Sequence, residues 1–137
     1  MKKETWLSLG ISMPLLVLGG CSEWQGAEML EVDGYQLRIK TDPDPLQVGE
    51  TARITVLLES AAGDDKTECG VQFRQYMPGM EMSGDDVFHP LKFMGRGRYE
   101  GRSGEFSMGG DWELEFDFTC GNDKRQVVLK RHLEWPE

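Results

Sequence analysis

The residues best suited to coordination chemistry are methionines gathered in one short segment, which reads M-P-G-M-E-M. Met77, Met80 and Met82 are three of the seven methionines that follow the initiator. Pro78 and Gly79 suit the two central positions of a type II turn, which would bring the α-carbons of Met77 and Met80 within about 7 Å. Thioethers are neutral and soft, so a cluster of them favours Cu(I). The segment therefore predicts a candidate Cu(I) site.

Two other residues are candidates to complete such a site. His89 and Met108 lie near further predicted turns, and imidazole is a compatible ligand of copper. The alternative interpretation contains no metal, because methionines also fill irregular gaps in cores and form adaptable contact surfaces. On that interpretation the methionine turn caps the domain or meets a protein partner.

Enzymatic activity and nucleic-acid binding are not expected. The chain has two histidines, and it contains no G-x-S-x-G, H-E-x-x-H or phosphate-binding glycine loop. Its many carboxylates mostly take outward strand positions, where we expect a solvated face. Residues 21–137 retain 13 basic and 23 acidic side chains, a net charge of −10. Such a charge repels phosphate backbones, so nucleic-acid partners are excluded.

The N-terminus has the pattern of an export signal. Lys2 and Lys3 precede an apolar stretch that is interrupted by Pro14 and shorter than the ~20 residues of a membrane span. The stretch ends in L-G-G-C, which resembles a bacterial lipobox with Cys21 as the lipidated residue. We expect a signal peptide over 1–20, a tether over 21–33 that ends in a first short strand, and a folded domain over 34–137. Ser22 would favour the outer membrane in a Gram-negative cell, with the domain facing the periplasm.

Period-two alternation of apolar and polar residues dominates the rest of the chain. In D-W-E-L-E-F-D-F-T-C, residues 111–120, apolar side chains take one face and acidic ones the other. Seven such segments with turn residues between them predict an antiparallel β-sandwich of about seven strands. They are 35–40, 50–59, 68–75, 87–93, 98–105, 111–120 and 124–133. We expect Trp112 in the core rather than as a lid over a turn.

Strand phase also places the two remaining cysteines. Cys69 shares parity with Val71 and Phe73, and Cys120 lies on the apolar face of its strand. Both therefore point inward, as a disulfide between two strands requires. An exported chain permits that bond. Two buried free thiols and a thiolate metal pair are the alternatives.

The run from Met77 to Leu114 resembles the YtkA-like domain of exported bacterial proteins. The resemblance rests on M-P-G-M-E-M, on G-R-Y-E-G at 97–101 and on F-S-M-G-G-D-W-E-L at 106–114. The V-G-E step at 48–50 also fits, and the resemblance extends over residues 34–133. Met77, Met80 and Met82 match the family's methionine turn, and Met108 matches its later S-M-G step. The Cys69–Cys120 pair is not part of the family pattern.

The resemblance implies an immunoglobulin-like β-sandwich that is membrane-anchored, has no known enzymatic activity and is related in setting to FixH-type and CopC-like copper proteins. We therefore expect an envelope lipoprotein, anchored in membrane lipid through Cys21, that handles Cu(I) for a membrane-protein partner such as an oxidase under assembly. The alternative is a metal-free adaptor or structural envelope lipoprotein. Glu81 stands where copper proteins of this setting often carry a histidine, and its hard carboxylate is a poor Cu(I) ligand.

Overall fold

The computed structural model describes residues 24–60, 68–80 and 87–137, and within them it contains eight strands and no helix. The signal peptide, Cys21 and Met82 lie outside the described residues. The strands are β1 (Glu28–Val32), β2 (Tyr35–Asp42), β3 (Arg53–Ser60), β4 (Gly70–Tyr76), β5 (His89–Gly95), β6 (Arg98–Arg102), β7 (Gly110–Cys120) and β8 (Asp123–Leu133). All strand pairs are antiparallel. The predicted all-β antiparallel class is confirmed.

The strands form one continuous sheet in the order β1-β2-β3-β6-β5-β4-β7-β8. β5 joins its two halves, because its first residues pair with β4 and its last with β6, with a register shift between Phe93 and Gly95. The layers of the predicted sandwich are thus joined into a nearly closed, barrel-like sheet. Side chains bridge the remaining gap: Arg131 on β8 lies 2.7 Å from Glu28 on β1.

The core fills the inside of this barrel with alternate residues of each strand, as the period of two requires. On β7, Trp112, Leu114, Phe116 and Phe118 are at most 1 % exposed. The other fully enclosed large side chains come from β2, β3, β4, β6, β8 and the 103–107 loop; they are Leu37, Ile54, Val56, Phe73, Gln75, Tyr99, Phe106 and Leu133. The predicted core position of Trp112 is confirmed.

The structure bears out one detail of the predicted strands and changes another. β1 is the short strand expected at the end of the 21–33 tether, and it pairs along its whole length with β2. β6 ends at Arg102 rather than at residue 105, because the next residues hydrogen-bond irregularly to the loop before β3. There the Ser103 amide donates to the Ala52 carbonyl at 2.8 Å, and the Phe106 amide donates to the Glu50 carbonyl at 3.1 Å.

Candidate functional site

The methionine segment forms the turn that its sequence predicts. The Met80 amide donates to the Met77 carbonyl at 3.0 Å, and Gly79 has a φ of +82°. Pro78 supplies the fixed negative φ of the first central position, and glycine tolerates the positive φ of the second. The turn leaves β4 at the end of the barrel where β7 begins.

This turn separates its two described thioethers. Met77 is only 7 % exposed and belongs to the core. Its Cε packs so close to Gly110 that a Cβ on that residue would lie only 2.7 Å from it. Met80 is 45 % exposed. The first methionine therefore anchors the turn in the barrel, and the second is presented to solvent.

Met108 lies at the same end of the barrel as Met77. It is partly buried against the core, and its carbonyl accepts a 2.9 Å hydrogen bond from the Trp112 indole. Gly110, which Met77 touches, follows two residues later. Fold and turn thus bring Met77, Met80 and Met108 to one end of the molecule.

His89 does not join this group. It pairs with Phe73 in the β4–β5 ladder, and its ring packs 6.3 Å from the Phe73 ring. Met77 lies four residues further along the chain from Phe73, which corresponds to about 13 Å of extended strand. Among residues 24–60, 68–80 and 87–137, no three His, Cys, Asp or Glu side chains are grouped to hold a metal ion. A metal site at this end would therefore depend on thioethers.

A cleft of about 580 Å³ opens beside the turn on the outer face of β7 and β8. His132 lies within it, and its ring is within hydrogen-bond distance of Asp111 and Glu134. The hydrogen bond to Asp111 raises the pKa of His132 above its usual value, the charges of Asp111 and Glu134 act in the same direction, and desolvation opposes them. The complete lining of the cleft is Pro78, Asp111, Trp112, Glu113, Lys130, Arg131 and His132.

Sequence reasoning missed this histidine site. The Glu134 partner is visible in the sequence, two residues after His132. Asp111 becomes its neighbour only through the β7–β8 register, where the two residues are directly opposed. A hairpin alignment of residues 110–133 would have found the pair.

A second polar cluster lies on the outer face of β4 and β7, and here the expectation of a solvated acidic face is wrong. Glu115 is only 3 % exposed. Arg74 donates to one of its oxygens from Nε at 3.0 Å and from a terminal nitrogen at 2.8 Å. The guanidinium lies 5.0 Å from the Tyr76 ring and 4.8 Å from the Phe88 ring. These aromatic side chains and the arginine remove Glu115 from water.

Asp117 is the next outward carboxyl on β7, and its protonation responds to this environment. Desolvation, then a hydrogen bond and charge repulsion from Glu115, raise the pKa of Asp117 to about 6. Its Oδ1 is buried without a hydrogen-bond partner. Asp117 is therefore protonated more readily than an ordinary aspartate.

The predicted disulfide is present. Cys69 and Cys120 are bonded at an S–S distance of 2.09 Å, across the β4–β7 pair. The bond excludes the alternatives of free thiols and a thiolate metal pair. The Cys69 amide also donates to the Tyr99 hydroxyl at 2.7 Å, which ties the disulfide to the core.

Lipidation at Cys21 lies outside the described residues and stays a prediction. No helix in the described part of the chain has the length and apolar character needed to cross a membrane.

Comparison with known families identifies the domain. The YtkA-like family matches residues 29–117, well over half of the chain, and the chain therefore belongs to that family. No curated protein matches the chain.

Solved structures give weaker similarities. A DUF4785 family protein from Legionella pneumophila superposes with a TM-score of 0.49 at 16 % identity, over 75 % of this chain and 29 % of its own. The chain thus spans less than a third of that protein. The ZirS C-terminal domain gives a TM-score of 0.47 at 14 % identity, over 97 % and 88 % of the two chains. A lipoprotein from Bacteroides thetaiotaomicron gives 0.42 at 17 % identity, over 77 % and 84 %.

Proposed function

We propose that this member of the YtkA-like family is an exported, lipid-anchored envelope protein that binds Cu(I) transiently at its methionine turn. The observation that carries the proposal is the closed turn, which presents the Met80 thioether to solvent at 45 % exposure. Family membership and the lipobox-like sequence before Cys21 support the setting. The net charge of −10 over residues 21–137 favours the approach of cations.

Met80 and Met82 are the proposed primary ligands. Both thioethers are soft donors, and Cu(I) is the biological metal that prefers them. Met77 and Met108 are available as further ligands at the same end of the barrel. Met77 would have to rotate out of the core to bind, which its unbranched side chain permits. A site of few thioethers suits a protein that holds copper briefly and passes it to a membrane-protein partner.

A Cu(I) competition titration of the full chain in detergent tests this proposal. We expect stoichiometric binding in the parent protein and at least tenfold weaker binding in a Met80→Leu, Met82→Leu double variant. Leucine nearly conserves the volume of methionine, so fold stability should change by less than about 1.5 kcal/mol. Met94→Leu is the matched control, because Met94 is 50 % exposed on β5, away from the turn. Equal affinity in the parent and the double variant would remove the site.

A metal-free adaptor is the second candidate, and one observation favours it. Met80 and Trp135, 45 % and 62 % exposed, are large apolar side chains at the same end of the barrel. Such residues are typical contacts of protein partners. A photo-crosslinking residue at position 80 should then capture a membrane protein in cells, whereas the same residue at the exposed Met29 of β1 should not. Capture without copper binding would favour the adaptor.

The lipid anchor is tested independently of the ligand. Cys21→Ala removes the only residue that the lipobox-like sequence offers for acylation. We expect the parent protein in the outer-membrane fraction of a Gram-negative cell, as Ser22 favours, and the variant outside that fraction. Lipidation would be refuted if parent and variant fractionate alike and the N-terminal peptide of the parent shows no added lipid mass.

A further inference from the structure

The ring of His132 lies between two carboxylates that come from different parts of the chain. Its Nδ1 is 2.7 Å from Asp111 Oδ1, and its Nε2 is 2.8 Å from Glu134 Oε2. Asp111 is near the start of β7, whereas Glu134 follows the end of β8. One imidazole thus links the C-terminal residues to the neighbouring strand.

Both contacts can be hydrogen bonds only when the ring carries two protons. An ionised carboxylate accepts hydrogen bonds and donates none, and a neutral imidazole has a single N–H. The neutral ring would satisfy one carboxylate and present a lone pair to the other. The raised pKa of His132, caused first by its hydrogen bond to Asp111, is consistent with a preference for the charged ring.

The residue after Glu134 packs on a glycine turn. A Cβ on Gly109 would lie 2.7 Å from Cδ1 and 2.9 Å from Nε1 of Trp135, so only glycine leaves room for the indole. Gly109 directly follows Met108. The C-terminal segment therefore places an exposed aromatic ring on the turn that carries a candidate ligand.

We propose that His132 is a proton-operated clasp: its doubly protonated ring ties Glu134 to Asp111 and holds Trp135 on the 107–110 turn, and loss of one ring proton releases the C-terminal residues. The clasp closes below the folded-state pKa of His132 and opens as the pH rises through it. It operates without bound metal, so it stands apart from the copper proposal.

Other charged groups around the ring also act on the protonation equilibrium of His132. Lys130 shares the outer face of β8 with His132 and disfavours the charged ring. Glu113, opposite Lys130 on β7, favours it. Arg131 also lines the cleft, but its guanidinium is held by Glu28 at 2.7 Å.

Indole N–H signals in ¹H–¹⁵N spectra of the full chain in detergent test the clasp across the range of about pH 5.5 to 8.5 in which histidine titrates. The Trp135 signal is identified by its loss in Trp135→Phe. We expect it to move in a single titration with a midpoint above 6.5, the ordinary pKa of histidine. The Trp112 signal, fixed by its bond to the Met108 carbonyl, should stay in place and report an intact fold.

Three variants separate the clasp from a general pH effect. His132→Gln should hold the Trp135 signal at its high-pH position throughout. Glu134→Gln should keep the indole bound at both ends of the range, because an amide can accept from or donate to the ring. Gly109→Ala should displace the indole while the His132 ring still titrates with a raised pKa. A parent Trp135 signal that does not move, or that moves equally in His132→Gln, would overturn the proposal.

Discussion

The two faces of β7 differ in sequence, one apolar and one acidic, yet both contain buried side chains. Its inner face, from Trp112 to Phe118, is at most 1 % exposed, as the alternation predicts. Its outer face carries Glu113, Glu115 and Asp117, for which the same alternation predicts a solvated face. Glu115 is instead only 3 % exposed, which lies within the range of the core residues. Alternation thus identifies which side chains share a face, but it does not show what covers that face.

The cover on the outer face comes from neighbouring strands. Arg74 of β4 lies directly opposite Glu115 in the ladder, and the Tyr76 and Phe88 rings flank its guanidinium. Apolar contacts therefore stabilise the inner face, and a desolvated ion pair organises the outer one. The two faces should respond differently to substitution.

The largest expected effect is on the inner face. Phe116 is fully enclosed, so Phe116→Ala should lower the free energy of unfolding by about 4 kcal/mol through lost burial and a cavity. Denaturant unfolding measures this change. Thr119→Ala, on the exposed outer face of the same strand, is the control and should change stability by less than about 0.5 kcal/mol. Similar losses of unfolding free energy in both variants would contradict the contrast between the two faces.

The same contrast applies within the methionine turn. Met77→Ala should cost about 3 kcal/mol, because its side chain is buried against Gly110. Met80→Ala should cost less than about 0.5 kcal/mol, because its side chain is largely exposed. Thermal unfolding of the two variants checks the difference. A large loss in Met80→Ala would show that this thioether is structural rather than available to a ligand.

Breaking the outer ion pair should have the next largest effect. Arg74→Met leaves the Glu115 charge buried without its partner and should cost about 2 kcal/mol, a value reduced for the partial exposure of the arginine. Adding Glu115→Leu should recover most of that loss, since an apolar pair can replace a buried ion pair. A double-mutant cycle in denaturant measures the coupling. Additive losses would argue against a desolvated pair.

The smallest expected effect is the pH dependence from Asp117. Its pKa of about 6 in the folded chain lies above its ordinary value of 3.8, so the folded state binds this proton more tightly. The stabilisation is complete below the ordinary pKa and is lost as the pH rises through about 6. Asp117→Asn should remove about 1 kcal/mol of this dependence, after allowance for solvent screening. A variant that keeps the parental pH profile over this range would assign the dependence to another group.

Particular residues show which features of the fold could be predicted from the sequence and which could not. The phase of β7 predicted its inward side chains, including Trp112 and Cys120, and the phase of the β4 segment predicted the inward Cys69, because a period of two is a local property. The Pro78-Gly79 turn was predictable because proline fixes its own φ and glycine permits the positive φ that the second central position requires. The cover over Glu115 was not predictable, because it depends on which strands are neighbours. The pairing of Asp111 with His132 requires the register of the β7–β8 hairpin, which the strand bounds alone do not give. The partner of the short β1 was not predictable either, because it also depends on the order of the strands.

The copper hypothesis also combines residues that the sequence shows with a geometry that only the fold determines. The sequence pattern placed His89 in one candidate ligand set with four thioethers, those of Met77, Met80, Met82 and Met108. The strand register puts His89 about 13 Å of extended strand from Met77. The ring of His132 is nearer to the turn, but both of its nitrogens are held by Asp111 and Glu134. If copper binds at the turn, its ligands should therefore be sulfur atoms without imidazole.

X-ray absorption spectroscopy of the Cu(I)-loaded protein tests that claim most directly. We expect a shell of two or three sulfur scatterers, no imidazole multiple scattering, and a spectrum unchanged by His89→Gln but lost in the Met80→Leu, Met82→Leu variant. A first shell of nitrogen or oxygen, or an imidazole signature that disappears in His89→Gln, would contradict the account and move the site away from the methionine turn.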